Sequence, residues 1–163
     1  VEYGKKNYNV NLNQGSIKEV DETIKYDFIS FWDVLEHVTD LGETLNKVKK
    51  ISKKNTILIL NVPNIDSIAC KLMGFKWPFY LNVHLYYFNN ASIKKILKKY
   101  NFELINSFPH FQYLELGYLC FRAKKYLKLF LIIEKIISIF KMTKLPIPYN
   151  LGQTTFIFQK NDE

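Results

Sequence analysis

Between residues 27 and 62 the chain reads "DFISFW", then "LGETLNKVKKI", then "NTILILNV", and that order constrains the fold more than any other part of it. The first and last of these segments are apolar on both faces, a pattern that suits strands covered from either side. Between them Leu41, Leu45 and Val48 keep helical spacing, and Asp40 with Glu43 makes a capping box at the start. Asn55 is expected to close this helix in a left-handed conformation. Strand, helix and strand with short connections form a right-handed parallel crossover. The chain is therefore an α/β protein, with residues 27–32 expected as a central strand.

The flanks extend the pattern. "VEYGKKNYN" reads as the end of a helix, and in "VNLNQGS" Val10 and Leu12 alternate with polar neighbours as in a short strand, ended by a turn at Gly15. After the crossover come a short helix in "NIDSIACKLMGF" and an aromatic-rich loop, "KWPFYLNVHLYYFNN". Asn89 or Asn90 caps the next helix, in which Ile93, Ile96, Leu97 and Tyr100 share a face. Asn101 ends it, and "FELINSF" follows as a strand. Residues 119–141 read as one helix, apolar on more than one face, with Tyr126, Phe130, Ile133, Ile137 and Phe140 along a stripe. "QTTFIFQK" is the last strand. At 163 residues the expectation is a single domain, 1–163, with the apolar helix as an insertion at about 119–141.

Composition narrows the function classes. The chain is 48% apolar and 16% aromatic, which fits a packed globule and not a basic disordered tail. Its net charge of +8 would suit an anionic partner, but the lysines fall on helix faces such as "IKKILKKY" and "LNKVKKISKK". Solvated faces explain them better than nucleic acid does, since little arginine is present for bidentate phosphate contacts. Cys70 and Cys120 belong to no ligand-spaced motif and read as reduced core thiols, which points to the cytoplasm. No secretory signal opens the chain, and no apolar run reaches the roughly 18 residues of a transmembrane segment. The only methionines are Met73 and Met142, which suggests a natural start upstream of Val1.

In an open parallel sheet, ligands bind beyond the carboxyl ends of the strands. Asp33, Glu36 and His37 follow strand 27–32 at such an end. One helical turn there would bring all three to a common point, which suits acid/base work or a hard divalent metal. The plainer roles are that His37 holds the loop through a backbone carbonyl and that the two carboxylates satisfy free helix-start amides. His84, among Trp77, Tyr80, Tyr86 and Tyr87, has the best claim to chemistry, with a core histidine in an aromatic cluster as the alternative. His110 carries no motif and reads as a surface residue.

"DFISFWDVLEHVTD", "ILILNVPN" and "GFKWPFYLNVHLYYFNNASIKKILKKYNFEL" together resemble the second half of class I S-adenosylmethionine-dependent methyltransferases, of the small-molecule type with a Leu-Glu-His-Val signature. The resemblance runs through about residues 1–110, and "YNLGQTTFIFQK" is similar to the last strand of that fold. It implies part of a Rossmann-like sheet, mostly parallel with an antiparallel last strand, helices on both faces, and S-adenosylmethionine as cofactor. Carried over by position, Gly15, Ser16 and Ile17 lie by the adenine, Phe31, Trp32 and Asp33 line the cofactor pocket, and His84 with His37 act at the substrate. Methyl transfer is an in-line displacement from a sulfonium, so the protein mainly positions a nucleophile and, for hydroxyl acceptors, removes a proton. The glycine-rich loop and the ribose-binding acid of the family fall before Val1, so this chain alone is expected to be inactive.

A few methyltransferases acting on quinone precursors or RNA ends bind a divalent metal with a set that Asp33, Glu36, His37 and His84 would match; no metal is assigned on that basis. The expected function of the intact protein is methyl transfer to a small-molecule acceptor. The alternative is a truncated, non-catalytic module that joins a protein partner or a missing N-terminal half through its apolar helix and open sheet edge. The 119–141 helix permits a lid, an interfacial helix using Lys124, Lys125, Lys128 and Lys135 against anionic headgroups, or plain packing. Plain core or partner packing is favoured because no clean charged face opposes the apolar one.

Overall fold

The computed structural model of the protein describes residues 1–124 and 127–161. Its centre is set by alternation in strand β2, Ser52–Pro63, where Leu58, Leu60 and Val62 point to one face and are fully buried. Strand β1, Tyr26–Trp32, pairs with β2 in parallel. On the other side of β2 lies β6, Gln153–Lys160, running antiparallel and burying Phe156 and Phe158 in the same layer. Strand β3, Phe102–Pro109, completes the sheet against β6, giving the order β1-β2-β6-β3. Three strands run one way and β6 runs against them.

Helices α2, Leu41–Ile51, and α4, Asn90–Lys98, cover this layer with Leu45, Val48, Ile93 and Leu97. Their starts follow from local chemistry. The Asp40 carboxylate accepts from the Glu43 amide at 2.8 Å, and Asn89 accepts from Ser92 at 2.7 Å, each satisfying an amide that has no intrahelical partner. The opposite face of the sheet is thinly covered, and Phe28 on it is 71% exposed. Helix α1, Glu2–Tyr8, buries no residue, and α3, Ile68–Met73, buries Cys70. Cys70 and Cys120 are both buried free thiols.

Several expectations need correction. Residues 10–16 form no strand; they are exposed, and alternation without a neighbouring backbone to bond leaves a segment irregular. The strand at 27–32 is an edge of the sheet, with Trp32 50% exposed, so two-sided apolarity here does not mean two-sided cover. Asn55 is left-handed, at φ 61, but it lies inside β2, where the register with β1 shifts; α2 already ends at Ile51. The Glu43 carboxylate pairs with Lys18 at 2.5 Å. The 119–141 segment is two helices, α5 (Leu116–Ala123) and α6 (Leu129–Ile139), packed on each other; Lys125 and Tyr126 lie outside the described residues. Beneath them a ribbon joins β4, Gln112–Glu115, to β5, Pro146–Tyr149, which the two prolines of β5 disguise in the sequence.

Candidate active site

At the end of β1 the chain turns sharply because Asp33 adopts φ 52, with its amide held by the Asn61 carbonyl at 3.1 Å. A tight turn follows, closed by the His37 amide on the Val34 carbonyl at 3.0 Å, where the spacing predicted a helical start. The carboxylates of Asp33 and Glu36 therefore part company. Asp33 Oδ1 accepts from Asn61 Nδ2 at 3.1 Å and from Gln153 Nε2 at 2.5 Å, tying together the ends of β1, β2 and β6. Gln112 Nε2 donates to Gln153 Oε1 at 2.7 Å, and Thr155 Oγ1 bonds Asn61 Oδ1 at 3.2 Å. His110 is no free surface residue: half-buried, it reaches Thr155 at 3.4 Å and sets its ring 5.7 Å from that of Trp32.

Glu36 turns the other way. Its carbonyl accepts from the amides of Leu85 at 2.8 Å and Tyr86 at 3.2 Å, clamping the aromatic-rich loop onto the turn. His84 is thereby brought against His37, with ring centroids 4.6 Å apart in an edge-to-face arrangement. His37 Nδ1 lies 3.0 Å from the Val83 carbonyl. A carbonyl only accepts, so we assign the proton to Nδ1, which leaves the Nε2 lone pair open. Glu36 Oε2 and His84 Nδ1 are buried without a hydrogen-bond partner. Donor atoms of Glu36, His37 and His84 all lie within 4.8 Å of one another.

Burial sets the electrostatics. Desolvation raises the pKa of Glu36, and the negative charge of Asp33 pushes it further the same way. Desolvation lowers the pKa of His84 and neighbouring His37 adds to that shift, so His84 is a neutral imidazole at pH 7. A wall of rings fixes it in place: Tyr87 lies 6.0 Å from His84, Tyr80 5.3 Å from Tyr87, and Trp77 5.2 Å from Tyr80.

Gly15 and Ser16 lead into a single helical turn, Ile17–Glu19, which packs against α2 and places Lys18 on Glu43. Gly15 has φ 145 and a Cβ there would meet the Glu19 carboxylate at 2.6 Å, while the Ser16 amide and hydroxyl both donate to Glu19 Oε1. Ile17 packs on the core. Phe31 is 8% exposed within the core cluster, so it underlies the site, and Trp32, on the opposite parity, is the ring that faces out. Among the described residues, Asn61, His110 and Gln153 are the site components that sequence reasoning missed. An open groove of about 550 Å³ lies beyond Gln153, with Asp66 as its one ionisable lining residue among the described residues.

Residues 4–107, more than half of the chain, match a family profile described as a methyltransferase domain. The fold is similar to that of an S-adenosylmethionine-dependent methyltransferase from Clostridium acetobutylicum, with TM-score 0.57 and 10% identity over 99% of this chain and 70% of that one. It is also similar to such an enzyme from Thermotoga maritima, with TM-score 0.51 and 16% identity over 91% of this chain and 62% of the other. A third likeness is to magnesium protoporphyrin IX methyltransferase from Synechocystis with bound SAH, at TM-score 0.50 and 12% identity over 91% of this chain and 49% of that one. The chain thus spans less than two thirds of the length of the last two proteins. Likeness at these identities is one of fold, and no curated protein sequence matches the chain.

Proposed function

The chain belongs to the methyltransferase domain family, and from that premise we propose that it serves methyl transfer from S-adenosylmethionine to a small-molecule acceptor, with Trp32 and Asp33 on the donor side and His84 and His37 on the acceptor side. The observation that carries this is the meeting of two imidazoles, 4.6 Å apart, at the strand end that Asp33 closes. When bound, the cofactor supplies an electrophilic methyl group on a sulfonium. The residues present suit it: both hydrogen bonds to Asp33 fall on Oδ1, so Oδ2 remains to meet a cation, and Trp32 offers a half-exposed aromatic face beside it. Gly15 leaves room for the Glu19 carboxylate that closes this turn, and with Ser16 and Ile17 it flanks the adenine. The neutral His84 then orients an acceptor hydroxyl and takes its proton.

Calorimetry on the intact protein tests the donor side. Saturable binding of S-adenosylmethionine and S-adenosylhomocysteine is expected, weakened about tenfold or more by Trp32→Ala. Absence of any heat with either ligand would overturn the proposal.

A second reading is favoured by the two orphaned atoms, Glu36 Oε2 and His84 Nδ1, which together with His37 converge as a three-ligand set. Two imidazoles and one carboxylate suit Zn²⁺, Mn²⁺ or Co²⁺ better than the all-oxygen preferences of Mg²⁺ or Ca²⁺, and three protein ligands leave a position open for an acceptor oxygen. Asp33 is no part of this set, because Asn61 and Gln153 hold its carboxylate toward the ends of β2 and β6 and its oxygens do not converge with the three donors. Adding Co²⁺ to metal-free protein should produce a visible absorption band and raise the melting temperature, with Glu36→Gln weakening binding tenfold or more. If Co²⁺, Zn²⁺ and Mn²⁺ all leave spectrum and melting unchanged, the histidines act without a metal.

A further inference from the structure

The α5–α6 hairpin carries an apolar face that no described residue covers. On α6, Leu129, Ile132, Ile136 and Ile139 fall on one side by helical periodicity and are 54%, 58%, 47% and 76% exposed, while Ile137 alone on that helix is buried. This corrects the expectation of a plain core helix; the expectation of packing on a partner is not touched by it. Hydropathy marked the segment as core, but the sheet's buried layer is already filled by α2 and α4, so the hairpin is left with only its own two helices and the β4–β5 ribbon to pack on.

We propose that this face docks on an anionic lipid bilayer. Residues 116–151 contain seven basic residues and one acid, Glu134. Glu134 pairs with Lys124 at 3.2 Å, and the segment offers no second acid to neutralise Lys128, Lys135, Lys141 and Lys144, all of which are exposed. Lys128 and Lys135 border the apolar stripe on α6. Their methylene stems extend along it while the ammonium groups reach the headgroups, the arrangement an interfacial helix needs. A second copy of the chain fits poorly, since it would set two strongly cationic faces against each other. Crossing the membrane is not the mode either: α6 has eleven residues, about 16 Å of helix against a hydrocarbon core of about 30 Å.

The placement gives this docking a use, which rests on the methyl-transfer reading although the docking itself does not. Strands β1 and β3 are opposite edges of the sheet but finish at the same end of it, and the ribbon beneath the hairpin is joined to the site through Gln112 and Gln153. A docked hairpin therefore holds the site's edge close to the surface of the bilayer.

Flotation with phosphatidylcholine vesicles, with and without about a third of phosphatidylserine, tests the proposal. The protein should float with the anionic vesicles and not with pure phosphatidylcholine, and be released at high salt. Lys128→Gln, Lys135→Gln and Lys141→Gln together should lower binding roughly a hundredfold, at about fivefold per charge. Ile132→Ser with Ile139→Ser should lower it at least tenfold with all charges kept. All five positions are exposed, so melting temperature and circular dichroism confirm that the variants fold. Equal or absent binding to both vesicles overturns the proposal, as does self-association that Ile132→Ser abolishes without any vesicle binding. Calorimetry with S-adenosylmethionine is scored separately, so failure of docking and failure of methyl transfer are told apart.

Discussion

Replacing Trp77 with alanine is expected to destabilise the protein by about 3–5 kcal/mol, a large share of the roughly 5–15 kcal/mol by which domains are held folded. Trp77 is 2% exposed and packs edge-on against Phe79 at 5.3 Å and Tyr80 at 5.2 Å. Its Nε1 donates to the Leu151 carbonyl at 2.5 Å, so truncation opens a cavity and also strands an acceptor. The neighbouring backbone cannot close the gap without strain. Gly152 sits at φ 107, where an added Cβ would stand 3.1 Å from the indole. Trp77→Phe keeps much of the packing and loses the hydrogen bond, so it should fall between wild type and alanine. Urea unfolding followed by circular dichroism measures both. A loss under about 1 kcal/mol for the alanine variant would mean that the aromatic loop is not seated on the last turn of the chain.

His84→Ala is expected to lower kcat for methyl transfer by about 10²- to 10⁴-fold, the usual worth of a positioned proton acceptor, with donor affinity nearly unchanged. The measurement is release of S-adenosylhomocysteine by the intact protein with hydroxyl and amine acceptors in turn. His84 is 9% exposed and packs against His37 and Tyr87, so its removal leaves a small cavity on the acceptor side and spares Trp32 and Asp33. His37→Ala should also reduce kcat, since it removes a neighbour of His84 and the bond to the Val83 carbonyl. Retention of more than about half of the activity by His84→Ala would place the acceptor elsewhere.

The parts of the fold that were legible in the sequence are those set within a few residues. Asp40 and Asn89 cap their helices where side-chain type and spacing placed them, and Leu58, Leu60 and Val62 bury as their alternation required. What failed depended on distant neighbours. Strand pairing decides whether 27–32 is central or an edge, and nothing between residues 27 and 32 encodes the partner. Val10 and Leu12 alternate correctly yet have no strand beside them. The site follows the same division. Glu36 and His37 are adjacent in sequence, and His84 stood out by its aromatic company, so all three were named before their meeting was visible. The departure of Asp33 from that group turns on one backbone angle, φ 52, and on Gln153, which lies 120 residues away. Strand parity could have separated Phe31 from Trp32, since alternate residues face opposite sides of the sheet.

The position of β6 has a consequence for the order in which the protein can be made. A ribosome delivers β1, β2 and β3 first, yet β2 and β3 share no edge, and the strand that joins them begins only at Gln153. Until that segment emerges, the nascent chain holds two unjoined strand edges, and Asp33 lacks one of the two amides that fix its carboxylate. The proposed donor side is therefore finished only after Gln153. A chain stalled or clipped ahead of Gln153 would carry His37, His84 and His110 and still lack the strand that joins β2 to β3 and anchors Asp33.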